Sequence, residues 1–322
     1  MSKDVPHIEN LEITKLPEEI LFIHQIKTPF HFSCCDGLVV LPKEGRNSKT
    51  IVLDLNIEPL HAYVIKELFG DVSDYVCTHG HMDHIAHVYA WEERGAKIHA
   101  PNPESYYLTN LREFYEGYGF NEKLKYPDIE KFGILNGYHP CTKTIENYDP
   151  GDTLTFENFK LETIPFTGHS KAHVGFYLPI EKILHVSCLG FDQLQPDVDG
   201  FGAFYGFREC SIDTCLNDID KAELIYGSGA DFLTSSHSYI VKSPDKTPFE
   251  YMRRKIKEKQ KIIDLALLNL KLSPNFEDKI NRLLKQDLYY PKRKMKGFLK
   301  RIYTFWEYWI IEKHLQRSSL LK

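Results

Sequence analysis

The sequence predicts a mixed α/β protein, two packed sheets with helices outside, followed by a helical C-terminal region. Three observations predict it. Short runs rich in Val, Ile and Leu recur between turn signals up to about residue 240, as buried strands do. Helical spacing interrupts them only now and then, without the strict alternation of a doubly wound sheet. Beyond Pro248 the pattern is helical. With 322 residues, 42% apolar and 26% charged, the chain has an ordinary globular composition and needs no staple to fold.

Ile20–Ile26, Gly37–Leu41 and Thr50–Leu55 read as strands. Glu58–Phe69 has helical spacing and stops at Gly70. Tyr75–Thr78 is a short strand that runs into a histidine cluster. Asp83–Arg94 reads as a helix ended by Gly95, and Lys97–Ala100 as a strand ended by Pro101. Residues 101–150 are crowded with aromatics, among them Tyr107, Phe114, Tyr118 and Phe120, and are expected to form an insertion or lid, helical over Glu104–Tyr115. Strands resume at Thr153–Phe156, Lys160–Pro165, His173–Leu178 and Lys182–Ser187. Cys210–Tyr226 reads as a helix and Asp231–Ser235 as the last strand. Three helices follow at Phe249–Leu270, Asn275–Leu288 and Phe298–Gln316.

The net charge of −5 conceals an asymmetry. From Asp245 onward there are 20 Lys+Arg against 9 Asp+Glu, a balance of +11, so the remainder carries −16. This suggests a body over residues 1–244 and a basic helical region over 245–322. The basic region either meets an anion or carries its charge on solvated helix faces. No run of 18 apolar residues occurs, so no membrane-spanning helix is expected. The acidic, proline-broken start argues against a secretory signal. The seven cysteines, with no CxxC pair, argue against a disulfide scaffold. Both point to the cytoplasm.

The chemistry is concentrated in Thr78-His-Gly-His-Met-Asp-His84. His79 and His81 are two apart and point the same way in an extended segment, while Asp83 and His84 follow where the chain turns into a helix. One bend can thus aim two imidazoles at one ion and a carboxylate plus an imidazole at its neighbour. Imidazole and carboxylate suit zinc first, with iron or manganese as alternatives. Further ligands are supplied where strands end: His169, Asp192 and His237.

This order, His79-x-His81-x-Asp83-His84 and then His169, Asp192 and His237, resembles the metallo-β-lactamase superfamily over residues 15–240. The resemblance implies an αβ/βα sandwich with a two-metal site at one edge. His79, His81 and His169 would hold one divalent ion, and Asp83, His84 and His237 the other. Asp192 would bridge them, and Asp54 would orient a ligand histidine. The chain departs from the family in three places. Phe191 separates Gly190 from Asp192, where Gly-Asp is usual. Cys188 precedes the bridging position and is not expected to be a ligand. In the glyoxalase II-related group the last metal histidine is usually followed by Gly; here it is Ser238. The C-terminal region is similar to the small winged-helix-like tail of that group.

These residues point to a hydrolase in which a hydroxide shared by two cations cleaves an ester, lactone or thioester, with Asp83 and Asp192 relaying a proton. The glycine- and aromatic-rich segment 201–207 would form a pocket wall. Phe204, Tyr205 and Phe207 would contact a small-molecule substrate with an apolar acyl group, Tyr205 as hydrogen-bond donor. The alternatives are a nuclease or phosphodiesterase whose basic tail binds nucleic acid, a mononuclear iron persulfide dioxygenase using His79, His169 and Asp192, and a non-catalytic metal-bound scaffold. A homodimer through lid and tail helices is a further expectation.

Overall fold

The computed structural model describes residues 7–321 apart from 18, 31, 43–48, 158, 191–192, 196–197, 200–201 and 271–274. The first sheet contains β1 (Leu11–Leu16), β2 (Ile20–Gln25), β3 (Gly37–Val40), β4 (Thr50–Leu53), β5 (Val72–Val76), β6 (Lys97–Pro101) and β7 (Glu146–Tyr148), side by side in chain order. Pairing is antiparallel from β1 to β4 and parallel from β4 to β7. The second sheet contains β8 (Thr153–Phe156), β9 (Phe159–Pro165), β10 (Val174–Leu178) and β11 (Ile183–His185). After a two-stranded ribbon, β12 (Gln193–Gln195) and β13 (Val198–Asp199), it is completed by β14 (Phe232–Thr234) and β15 (Ile240–Lys242). Its strand order is β15-β14-β11-β10-β9-β8.

Alternation along the strands explains the layering. Phe22, Leu38, Val40, Ile51, Leu53 and Val76 of the first sheet meet Leu161, Val174, Phe176, Leu178 and Ile183 of the second in one buried cluster. The alternate residues Leu21, Ile23, Val39, Val52 and Tyr75 face a second core with the helices. Both faces are covered, so the strands read as continuous apolar runs. The helices are α1 (Pro59–Phe69), α2 (Met82–Ile85), α3 (Tyr89–Glu93), α4 (Leu111–Gly117), α5 (Tyr126–Leu135) and α6 (Ile212–Gly229), then α7 (Thr247–Leu268), α8 (Phe276–Leu284) and α9 (Gly297–Arg317) in the C-terminal region. Among the described residues, none is long and apolar enough to cross a membrane.

The single helix expected over Asp83–Arg94 is two short ones, α2 and α3. Asn56 is the reason. Its Oδ1 accepts from His87 N (2.8 Å), and its Nδ2 donates to Asp83 O, so a buried side chain diverts the helical ladder. The aromatics of the insertion mostly pack as core: Tyr107, Phe114, Phe120 and Phe132 are all buried.

Candidate metal centre

The ends of β5, β9, β11 and β14 open onto one place, and the loops that follow carry the predicted ligands. His79 and His81 leave β5, with ring centroids 4.5 Å apart, and His169 follows β9, its ring 4.9 Å from His79 and 4.4 Å from His81. His169 donates Nδ1–H to Phe204 O (2.9 Å), which leaves the Nε2 lone pair facing His79 Nε2 at 3.1 Å. His81 Nε2 is buried with no hydrogen-bond partner among the described residues. Burial, then the neighbouring imidazoles, holds all three rings well below the ordinary histidine range. Neutral rings with converging lone pairs and an orphaned nitrogen are what a cation site requires.

The second cluster joins Asp83, His84, Cys188 and His237, whose ligand atoms lie within 4.8 Å of one another. Cys188 Sγ is 3.0 Å from both His84 Nε2 and His237 Nε2. Asp83 Oδ2 is 3.5 Å from each of the same two nitrogens. Cys188 also falls within the same limit of His79 and His169, so one thiol belongs to both clusters. Cys188, not expected to be a ligand, thus stands among the side chains that could hold an ion. It lies in the loop just after β11, near the strand end where a ligand was sought, while Asp192 lies outside the described residues. His173, in turn, donates Nδ1–H to Phe166 O (3.0 Å) and accepts from Cys188 N (3.3 Å), which seats the thiol.

Asp54 sits at the end of β4, fully buried, in the left-handed region at φ +56°. Its Oδ2 accepts from His84 Nδ1 (3.0 Å), Ser187 Oγ (3.1 Å) and Ser236 Oγ (2.8 Å), and its Oδ1 from Thr78 N (3.0 Å). Burial opposes its charge, but His84 and His185 outweigh that and hold Asp54 well below the usual carboxylate range. The carboxylate thereby sets the His84 tautomer and turns Nε2 toward Cys188. Sequence reasoning missed Glu104, which is buried at the start of a 3₁₀ turn and bonded to both histidine loops. Burial lifts it above the ordinary range against four bonds that favour its charged form.

Three rings wall the His81 side: Tyr118 at 4.9 Å, Phe207 at 5.0 Å and the half-buried Phe204 at 6.0 Å. The insertion thus reaches the site through Tyr118. Tyr205 does not reach it. Its side chain is fully buried and its hydroxyl donates to His314 Nε2 of α9 (2.8 Å). The role expected for Tyr205 as a donor to substrate is corrected accordingly.

The sequence profile of the Metallo-beta-lactamase superfamily matches residues 62–243, more than half of the chain. The chain belongs to the metallo-beta-lactamase superfamily. That superfamily consists mostly of hydrolytic metalloenzymes. A hydroxyacylglutathione hydrolase from Mesorhizobium japonicum is 26% identical over 153 residues, which are 47% of this chain. The chain spans about half (48%) of that relative's length. Solved structures agree on the fold. A metallo-beta-lactamase family protein from Thermus thermophilus has a TM-score of 0.61 at 16% identity, covering 96% of this chain and 94% of its own. A beta-lactamase domain protein from Burkholderia ambifaria has a TM-score of 0.63 at 11% identity, covering 95% and 88%.

Proposed function

We propose that the protein is a binuclear metal-dependent hydrolase of an acyl compound, a thioester, lactone or ester. The observation that carries the reading is the convergence of seven side chains, His79, His81, Asp83, His84, Cys188, His169 and His237, on two adjoining clusters. His79, His81 and His169 would hold one ion, and Asp83, His84 and His237 the other, with Cys188 between them. A thiolate among imidazoles favours zinc over manganese. Bound divalent ions supply a nucleophilic water near neutral pH and polarise the attacked oxygen.

The chain's own residues do the rest. Asp83 is positioned to take up or return a proton beside His84 and His237. Tyr118, Phe204 and Phe207 offer apolar area and exclude water at the His81 side. The relative named for hydrolysing a hydroxyacylglutathione supports an acyl substrate. We read residues 245–322 as support for this wall, not as a nucleic-acid arm: Lys259 donates to Ala203 O (2.8 Å) and Lys313 to Phe207 O (2.6 Å). All seven cysteines are buried, which fits a reducing compartment such as the cytoplasm.

The test is metal analysis of the purified protein together with a panel of thioesters, lactones, esters and phosphodiesters. Near two ions per chain are expected, with acyl substrates preferred. Turnover should fall at least a hundredfold in His81→Ala and in Cys188→Ala. Normal turnover in His81→Ala, or a preference for phosphodiesters, would contradict the reading.

A further inference from the structure

We propose that Glu104 is the positioning residue that holds the loops of His79, His81 and His169 in register. Tight binding of an ion by those three rings depends on it. The proposal rests on the metal-centre reading above. Glu104 is 1% exposed. Its Oε2 accepts from Gly80 N (2.7 Å), Tyr118 Oη (2.8 Å) and Ser170 Oγ (3.2 Å), and its Oε1 from Ala172 N (3.1 Å). Gly80 lies between two of the rings and Ser170 directly follows the third, so one carboxylate ties both ligand-bearing loops together. Tyr118 adds the pocket wall to the same anchor.

Gly80 makes the approach possible. A Cβ there would come within 2.5 Å of Tyr107 Cδ2 and 3.0 Å of Glu104 Cβ. Among the described residues no ion pair balances the carboxylate, only four donors whose dipoles point at it. Cations held by the adjoining rings would balance it, so the residue acts on the site through both geometry and charge. Its partners are 14 to 68 positions distant, which hides the arrangement from any local motif.

The test titrates metal-free full-length protein with Co²⁺, following the d–d absorption that reports ligand geometry. Wild type is compared with Glu104→Gln and with Tyr118→Phe, and folding is checked by circular dichroism. Glu104→Gln should weaken Co²⁺ binding 10–100-fold and alter the d–d spectrum, as removal of partners that orient metal ligands does. Tyr118→Phe removes one bond, leaves the carboxylate, and should cost less than tenfold. A folded Glu104→Gln with wild-type affinity and spectrum would overturn the proposal. If Glu104→Gln does not fold, the double variant Tyr118→Phe, Ser170→Ala decides: several-fold weaker binding supports the proposal and unchanged binding overturns it. A wild type that binds Co²⁺ but hydrolyses nothing in the panel would sink the functional reading alone. A wild type that binds no Co²⁺ would overturn both.

Discussion

Asp54, Ser187 and Ser238 all adopt positive φ, at +56°, +49° and +70°, and all three adjoin the proposed ligands. Left-handed backbone at residues other than glycine costs about 1 kcal/mol each and persists where surrounding contacts over-determine it. Ser238 stands where the related group usually has Gly. Its N–H donates to Asp36 Oδ2 (2.5 Å) and its Oγ meets His24 Nδ1 (3.1 Å), which itself bonds Asp36 (2.9 Å). Ser238→Ala should therefore lose the hydroxyl contact, keep the strain, and destabilise by about 1 kcal/mol. Ser238→Gly should relieve the strain and stay within about 0.5 kcal/mol of wild type. Urea unfolding of both variants checks this ordering, and a glycine variant less stable than the alanine one would refute it. The proposed ligands in 79–84 were legible because they share one bend. Cys188 was not, because a lone thiol after a strand looks like any buried cysteine.

Among the elements, the strand runs were read to within two or three residues wherever both faces are buried. The edge strand β1 went unread because the exposed Glu12 and Lys15 interrupt its apolar pattern. Helices were over-extended where a polar side chain cuts the ladder. Asn56 breaks Asp83–Arg94. Asn110 caps α4 by accepting from Arg112 N (2.9 Å), which breaks Glu104–Tyr115. Asn56 also donates to Ser33 O (2.8 Å), so its amide ties three segments beneath the turn that carries Asp83 and His84. Asn56→Ala leaves buried donors and acceptors unpaired and should cost about 2–3 kcal/mol. Chemical denaturation measures this. A loss below about 0.5 kcal/mol would show that the turn does not depend on that side chain.

Across the whole molecule, the acidic body and the basic C-terminal region complement each other. Arg253 of α7 pairs with Asp220 (2.6 Å) and Glu223 (2.7 Å) of α6. Arg301 of α9 pairs with Asp128 (2.5 Å), and Arg317 with Asp213. Burial also leaves a pH signature in this architecture. It pushes His87 down to about 4 and His173 and His314 down to about 3. Unfolded chains bind these protons near the ordinary value of 6.5, whereas the folded rings stay neutral until far lower pH. The unfolded state therefore binds more protons below 6.5, and stability falls with pH. His24 works in the opposite sense: burial lowers it, but Asp36 raises it above its ordinary value overall. Urea midpoints of chelator-treated protein should decline from about pH 6.5 toward pH 4, with His24 offsetting a small part of the loss and giving that part back as pH rises above 6.5. A flat profile would mean that these rings are not buried as neutral groups.

The sequence by itself determined the sandwich and the C-terminal helices, because burial on both faces of a strand and the apolar stripe of a helix are written locally. It also determined the histidine bend, because four candidate ligands within six residues need only one turn of chain. Tertiary structure alone decided that Cys188 lies between the two clusters, that Glu104 anchors the loops, and that Tyr205 turns to α9. Each of these depends on groups brought together from distant positions, and such contacts leave no periodic or local trace in a chain.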